Sequence, residues 1–318
     1  MTAPLRGPGF AKLRELADVV YDPWIEQTPL RIYSAEQLAD RIKAESADVV
    51  VVESDSVSGP VFDLGLRAIA STRGDPNNVD IAGATAAGVP VLNTPGRNAD
   101  AVAEMTPALL LAVTRHLLAA DSDVRSGNMF RDGSIPYQRF RGREIAGLTA
   151  GLVGLGAVGR ATAWRLSGLG LRVIAHDPYN SDAKHSLDEL LAEADVVSMH
   201  APVTDDTVGM VGAREFAAMR DGAVFLNTAR AQLHDTDALV DALHSGKVGA
   251  AGLDHFVGEW LPTDHPLTGL PNVVLTPHIG GATWNTEARQ AQMVADDLDA
   301  LLSGNTPAHI VNPEVLGS

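Results

Sequence analysis

The stretch LTAGLVGLGAVGRATAWRLSGLGLRVIAHDPYN, residues 148–180, decides how the rest of the chain is read. An apolar run of buried-strand length, Ala150 to Val153, passes through Gly154, Gly156 and Gly159 into the helical run Arg160 to Leu166. In that context each glycine has its own task. Gly154 allows the tight turn, Gly156 lets the backbone approach a pyrophosphate, and Gly159 lets the helix pack close to the sheet. The helix start offers unpaired N–H groups and a positive dipole end to the anion. Glycine-rich turns also arise for packing alone, so the spacing to Asp177 matters. Asp177 ends the second strand eighteen residues after Gly159. A carboxylate there can accept from both ribose hydroxyls of an adenosine and would repel a 2′-phosphate, which points to NAD. The dipeptide Asp177-Pro178 also reads as a plain turn.

The strand-then-helix rhythm continues from Leu148 to His278. Further strands are expected at Arg172–His176, Asp195–Met199, Ala223–Asn227, Ala250–Leu253 and Val273–Thr276, with Asp235 as an N-cap and Gly246 past a helix end. Six such strands imply a doubly wound parallel sheet of the Rossmann kind. Toward the N-terminus, Ser34-Ala-Glu-Gln37 is a capping box opening a helix, and Asp48–Val52, Leu66–Ser71 and Val89–Leu92 read as strands of a smaller parallel sheet. Ala99 to Ala120 reads as one long helix linking two domains, with a kink expected at Pro107. Ser126 to Arg143 lacks a sustained period and reads as a loop or arm, whose Phe130, Tyr137 and Phe140 could pack on a partner subunit. The stretch Thr286 to Leu302 is helical and should return to the first domain. The expected organisation is a Rossmann domain, residues 99–284, inserted into a smaller flavodoxin-like α/β substrate domain, residues 1–98 and 285–318.

Composition excludes several classes. The net charge of −16, with no basic run to offset it, would repel a nucleic-acid backbone. Cysteine is absent, which removes disulfides, thiolate metal sites and a cysteine nucleophile, and no metal is expected. The first residues, MTAPLRGPGF, contain no apolar leader segment, and the apolar run Ala108–Val113 ends at Arg115 and His116, far short of a membrane span of about 18 residues. A cytoplasmic protein is the expectation.

Arg230, Glu259 and His278 fall at or just after the carboxyl ends of expected strands, where open parallel sheets bind ligands. Singly each has a bland reading: a surface cation, a solvated loop acid, a turn histidine after Pro277. Together they supply what hydride transfer to a 2-keto acid requires, a cation for the carboxylate and carbonyl and a carboxylate-supported acid for the forming alkoxide. The segments LNTARAQLHDTDAL (226–239), AGLDHFVGEWLP (251–262) and NVVLTPHIGGAT (272–283) resemble the D-isomer-specific 2-hydroxyacid dehydrogenases. The likeness extends from about Val50 to Val311-Asn-Pro and includes Asn93-Thr-Pro-Gly-Arg-Asn98 and Val102-Ala-Glu104.

That resemblance implies an NAD-dependent dehydrogenase, usually a homodimer, acting on a small acid in a cleft. It makes Arg230 the group that binds and polarises the substrate, His278 the acid/base and Glu259 its orienting partner. It places Ala157, Val158, His200, Pro202, Thr207, Thr228, Ala229, Asp254 and Gly280 around the cofactor, and Asn98 near the substrate. The chain departs from the family in Ala231-Gln232 after the arginine and in His255, Val257, Gly258 and Trp260 after Asp254. It also has Arg73-Gly74-Asp75 where relatives carry the Gly-Val-Gly turn that receives a carboxylate. The added arginine suggests a more anionic substrate, so phosphoglycerate, glycerate or hydroxypyruvate, and a hydroxyalkylphosphonate all stay open. A corepressor-like NAD(H)-sensing protein on the same scaffold is the alternative of another class.

Overall fold

The structure, a computed structural model, describes residues 1–317. The chain divides into two compact units, Met1–Arg97 together with the chain from Thr283 onward, and Asn98–Ala282.

The smaller unit holds three parallel strands, β1 (Val49–Val52), β2 (Ala68–Ser71) and β3 (Val91–Leu92), in that spatial order. They are apolar except for Ser71 because both faces are covered. Successive side chains point to opposite faces. Val50, Val52, Ile69 and Val91 join Leu38 and Ile42 in one core, whereas Val51, Ala68, Ala70 and Leu92 meet Ala291, Val294 and Leu298 in another. The helix Ala35–Glu45 starts at its capping box, Ser34 and Gln37 each satisfying the other's backbone N–H. A helix at Gly7–Leu16, with no sequence cap to announce it, lies backbone to backbone on the helix Trp284–Leu302: a Cβ on Gly9 would meet the Gln292 nitrogen at 2.2 Å.

The larger unit is a six-stranded, all-parallel sheet built from β4 (Thr149–Val153), β5 (Arg172–His176), β6 (Val196–Met199), β7 (Ala223–Asn227), β8 (Val248–Leu253) and β9 (Val273–Leu275). Its order is β5-β4-β6-β7-β8-β9. Alternation again separates two cores. Val153, Val197, Met199, Phe225 and Leu253 face one, Leu152, Val196, Val224, Leu226 and Val274 the other, so helices cover both faces. Strand order reverses between β4 and β6, which makes the carboxyl ends of those two strands the place where a crevice opens.

The long helix expected over Ala99–Ala120 is two helices, Ala99–Thr114 and Leu117–Arg125, bent by 64°. Pro107 sits inside the first; the break is at His116, in left-handed backbone at φ 54°. A tertiary contact explains it, because the Thr114 carbonyl accepts from the Arg143 N–H at 3.0 Å. Among the described residues no single helix is long and apolar enough to cross a membrane. Within the expected loop 126–143, a single turn, Pro136–Arg139, places Arg139 against Asp123 at 2.9 Å.

Candidate active site

Two groups of the expected site residues come together in the larger unit. The first surrounds the turn after β4. Gly154 adopts φ 100°, and a Cβ on it would lie 2.6 Å from the His200 carbonyl carbon, so the turn and the end of β6 touch through backbone alone. A Cβ on Gly159 would lie 2.2 Å from the Gly154 carbonyl oxygen, whereas one on Gly156 would meet nothing within 4 Å. The first constraint is packing, the second is open space. The helix Ala157–Gly168 begins at Gly156 with no side-chain cap on its first N–H groups, and Ala157 and Val158 form its opening turn.

Asp177, half-buried at the end of β5, accepts from the Leu155 N–H at 2.8 Å on one oxygen and from the Tyr179 N–H at 2.9 Å on the other. Its turn role and its place beside the glycine loop therefore coexist, since each carboxylate oxygen has a further lone pair. His200 bonds Ser198 through Nε2 at 2.9 Å, its buried Nδ1 has no partner, and burial lowers its pKa to about 4. Thr207 donates its hydroxyl to the Pro202 carbonyl at 2.7 Å. An uncapped helix start, a glycine floor with room above it, an acceptor carboxylate and an orphaned buried nitrogen fit a dinucleotide.

The second group lies on the loops after β7, β8 and β9. Buried Asn227 ends β7 and organises the turn that follows it. Its amide donates to the Arg230 carbonyl at 2.8 Å and to His234 Nδ1 at 3.0 Å, while its oxygen accepts from the Ala229 N–H at 2.9 Å. His234, kept neutral by burial with a pKa near 4, serves as the acceptor. Thr228 is buried with its hydroxyl 3.1 Å from that of Thr106, and the Arg230 side chain is exposed.

Asp254, fully buried after β8, accepts from the Thr276 hydroxyl at 2.6 Å and from the N–H groups of Ile279 and Gly280 at 3.0 and 2.7 Å. Those bonds clamp the loop that carries His278. Gly280 must be glycine there, because a Cβ would sit 2.8 Å from the same carboxylate. His278 Nδ1 lies 2.9 Å from Glu259 Oε1. Both residues occupy left-handed backbone, at φ 54° and 55°, a conformation that costs free energy and persists only where its surroundings enforce it. His255 is buried beneath them, its ring 3.8 Å from that of His278. Burial first, then the charges of His278 and Arg230, lower its pKa to about 3 against the opposing bond to the Thr228 carbonyl.

Arg73, Gly74 and Asp75 belong to the smaller unit. Arg73 donates from Nε to the Glu53 carbonyl at 2.5 Å and from Nη1 to Asn77 at 2.6 Å. With Ser54, Ser56 and Asn78 it lines a hollow of about 470 Å³. Gly74 and Asp75 are exposed, and the Gly74 carbonyl accepts from Asn93 at 2.7 Å. Asn98, in the larger unit, precedes the Ala99–Thr114 helix without capping it and packs against Gly281.

Asn227, His234 and the tilted ring contact of His255 with His278 escape the sequence reading. For the two histidines the signal was a histidine in an otherwise apolar or family-like segment, which says nothing of which partner it meets, and for Asn227 there was none.

A family model described as "D-isomer specific 2-hydroxyacid dehydrogenase, NAD binding domain" matches residues 107–280. Over 320 residues the chain is 38% identical to a glyoxylate reductase of Thermofilum pendens, covering 97% of this chain and 92% of that one. It is 37% identical over 316 residues to a D-3-phosphoglycerate dehydrogenase of Mycobacterium tuberculosis, covering 94% of this chain and 58% of that one. Among solved structures, the NAD-complexed D-isomer-specific 2-hydroxyacid dehydrogenase of Lactobacillus delbrueckii ssp. bulgaricus superposes with a TM-score of 0.78 at 27% identity, over 96% of each chain.

Proposed function

The chain belongs to the D-isomer-specific 2-hydroxyacid dehydrogenase family and is an NAD-dependent oxidoreductase, and from that premise we propose that it reduces a short 2-keto acid of the glyoxylate and hydroxypyruvate class. The observation that carries the chemistry is the His278–Glu259 pair, closed at 2.9 Å at the carboxyl end of the sheet. With Nδ1–H committed to the carboxylate, His278 presents Nε2 to the substrate.

When bound, the nicotinamide supplies or accepts the hydride. The Arg230 guanidinium holds the substrate carboxylate in a two-pronged contact and draws charge from the adjacent carbonyl. His278 delivers the proton from Nε2 to the carbonyl oxygen as charge develops there, and takes it back in the oxidative direction. Glu259 fixes the tautomer and orientation of the ring. Asp254, by clamping residues 276–280, and Asn227, by clamping 229–230, hold the proton donor and the cation on their loops.

The relatives' names support a small substrate. The bonds of Arg73 support a brace between the loops at residues 53 and 77, with no second anion required of the substrate. We also propose a homodimer formed through residues 117–140, where Leu117, Leu118, Phe130 and Tyr137 are exposed, the last two by 74% and 76%.

A panel of glyoxylate, hydroxypyruvate, 3-phosphohydroxypyruvate and 2-keto phosphonates, followed through NADH absorbance, tests the substrate reading. Glyoxylate or hydroxypyruvate should show the highest kcat/KM. A preference above tenfold for a phosphorylated or phosphonate substrate would overturn it, and no turnover of any would favour the sensor alternative.

A further inference from the structure

His255 has no place in the reaction just described, yet it lies against the proton donor. One nitrogen or oxygen from each of His255, Glu259 and His278 falls within 4.8 Å of the others. His255 is 5% exposed and its Nδ1 has no hydrogen-bond partner. A buried imidazole nitrogen left without a partner, in a ring held by packing, is a group that a metal ion can satisfy.

We propose that His255, Glu259 and His278 form a site for a single zinc ion, and that occupancy stops turnover reversibly by taking His278 and Glu259 out of the proton transfer. The inhibitory half rests on the proposed role of His278; the binding half does not.

Three features support the assignment. Two imidazoles and one carboxylate are a donor set that zinc takes with a fourth position open, whereas magnesium and calcium prefer oxygen ligands alone. The arrangement is layered: His255 forms a buried floor, and the His278 and Glu259 side chains above it are 43% and 59% exposed, which leaves an entry path from solvent. The fit is also close in size, since zinc bonds of ~2.1 Å place tetrahedral ligand atoms ~3.4 Å apart. The 2.9 Å separation of Nδ1 and Oε1 would widen slightly as the ion replaces the proton between them, and the remaining distances would close by rotation of exposed side chains.

The site is legible only in three dimensions. His255 and Glu259 stand four residues apart on an irregular loop, and His278 comes from the next strand end, so no linear metal motif announces it.

Calorimetric titration of the full-length enzyme with zinc sulfate, without substrate or cofactor, tests binding directly. One zinc per chain is expected, with magnesium giving no heat. Initial rates of keto-acid reduction with NADH should fall at least tenfold as that site fills and recover on addition of EDTA. His255→Val and His255→Asn, two variants in case one packs poorly, should each weaken zinc binding at least tenfold while retaining NADH binding as the check of folding. Absence of zinc binding in the parent, or unchanged zinc affinity in both folded variants, overturns the site. Zinc that binds through His255 but leaves turnover intact overturns the inhibitory half, and with it the acid/base role of His278, while the substrate panel above is judged separately.

Discussion

The turn after β4 and the loops after β8 and β9 stand at the same edge of one sheet but are built on opposite plans. In the turn the backbone is the working material. Gly154, Gly156 and Gly159 contribute by lacking side chains, and the functional groups are the N–H groups of a helix start. In the loops the side chains do the work, and the backbone is forced into left-handed geometry to present them, with the buried Asp254 bonds holding the shape. One region should therefore fail by steric exclusion of the cofactor, the other by loss of a proton. Binding and turnover should separate.

The largest effects expected are those that split the two. His278→Ala should lower kcat/KM by ~10³- to 10⁴-fold, the upper range for loss of a general acid, while NADH affinity changes little. Gly159→Val should do the reverse, since a side chain placed 2.2 Å from the Gly154 carbonyl cannot be relieved by a rotamer, and NADH affinity should drop at least ~100-fold as the turn is displaced. Fluorescence titration with NADH beside steady-state rates reads both. If His278→Ala loses NADH affinity as steeply as it loses rate, the two regions are one unit.

Acid should erode both regions at once. His200 lies by the turn, and His234 and His255 lie beneath the loops; burial lowers all three, to about 4, 4 and 3. For a group whose folded pKa is depressed, the unfolded chain binds the proton first. The contribution to stability is then complete above the unfolded value near 6.5 and is lost as pH falls through the folded value. Between pH 7.5 and 5 each histidine should cost about 2 kcal/mol of unfolding free energy. Urea midpoints at the two pH values should move accordingly, and His234→Gln should flatten the dependence. Equal midpoints at pH 7.5 and 5 would show that these rings are not kept neutral by the fold.

The same contrast explains what could be read from the chain beforehand. The glycine turn, the place of Asp177 after the second strand and all six strands of the large sheet were legible, because glycine spacing and strands buried on both faces are local properties. Ser34, Gln37 and Asp235 were legible as caps for the same reason. The break at His116 was not, since a non-glycine residue there adopts φ 54° where Arg143 has captured the Thr114 carbonyl from 29 residues away in sequence. Nor was the network of Asn227 and His234, or the contact between His255 and His278. Buried polar partners are chosen by tertiary geometry, to which periodicity is blind.

A smaller effect sharpens the turn side. Asp177 should give NAD at least a tenfold advantage in kcat/KM over NADP, about 1.4 kcal/mol, because its carboxylate accepts from ribose hydroxyls and repels a 2′-phosphate. Asp177→Ala should narrow the gap, and Asp177→Asn, which keeps an acceptor for the Leu155 N–H, separates charge repulsion from damage to the turn. Equal kcat/KM for the two cofactors in the parent enzyme would remove the assignment.

The smallest effect expected concerns Arg73, where sequence position and bonding suggest different roles. By position it replaces the turn that receives a carboxylate in relatives, which suggests a reader of a second anion. By bonding it ties the Glu53 carbonyl to Asn77 beside the hollow that it helps to line, and these two neutral contacts are worth about 1 kcal/mol together with the packing of its stem. A brace is indifferent to what the substrate carries at its far end. Arg73→Ala should then lower kcat/KM by the same ~2- to 5-fold on glyoxylate and on 3-phosphohydroxypyruvate, with a fall in thermal midpoint. A reader would instead give a selective loss of ~10- to 1000-fold confined to the doubly charged substrate, as expected when a charge-assisted contact is removed. That outcome would turn the hollow of Ser54, Ser56 and Asn78 into an anion subsite and move the proposed substrate from short keto acids to phosphorylated ones.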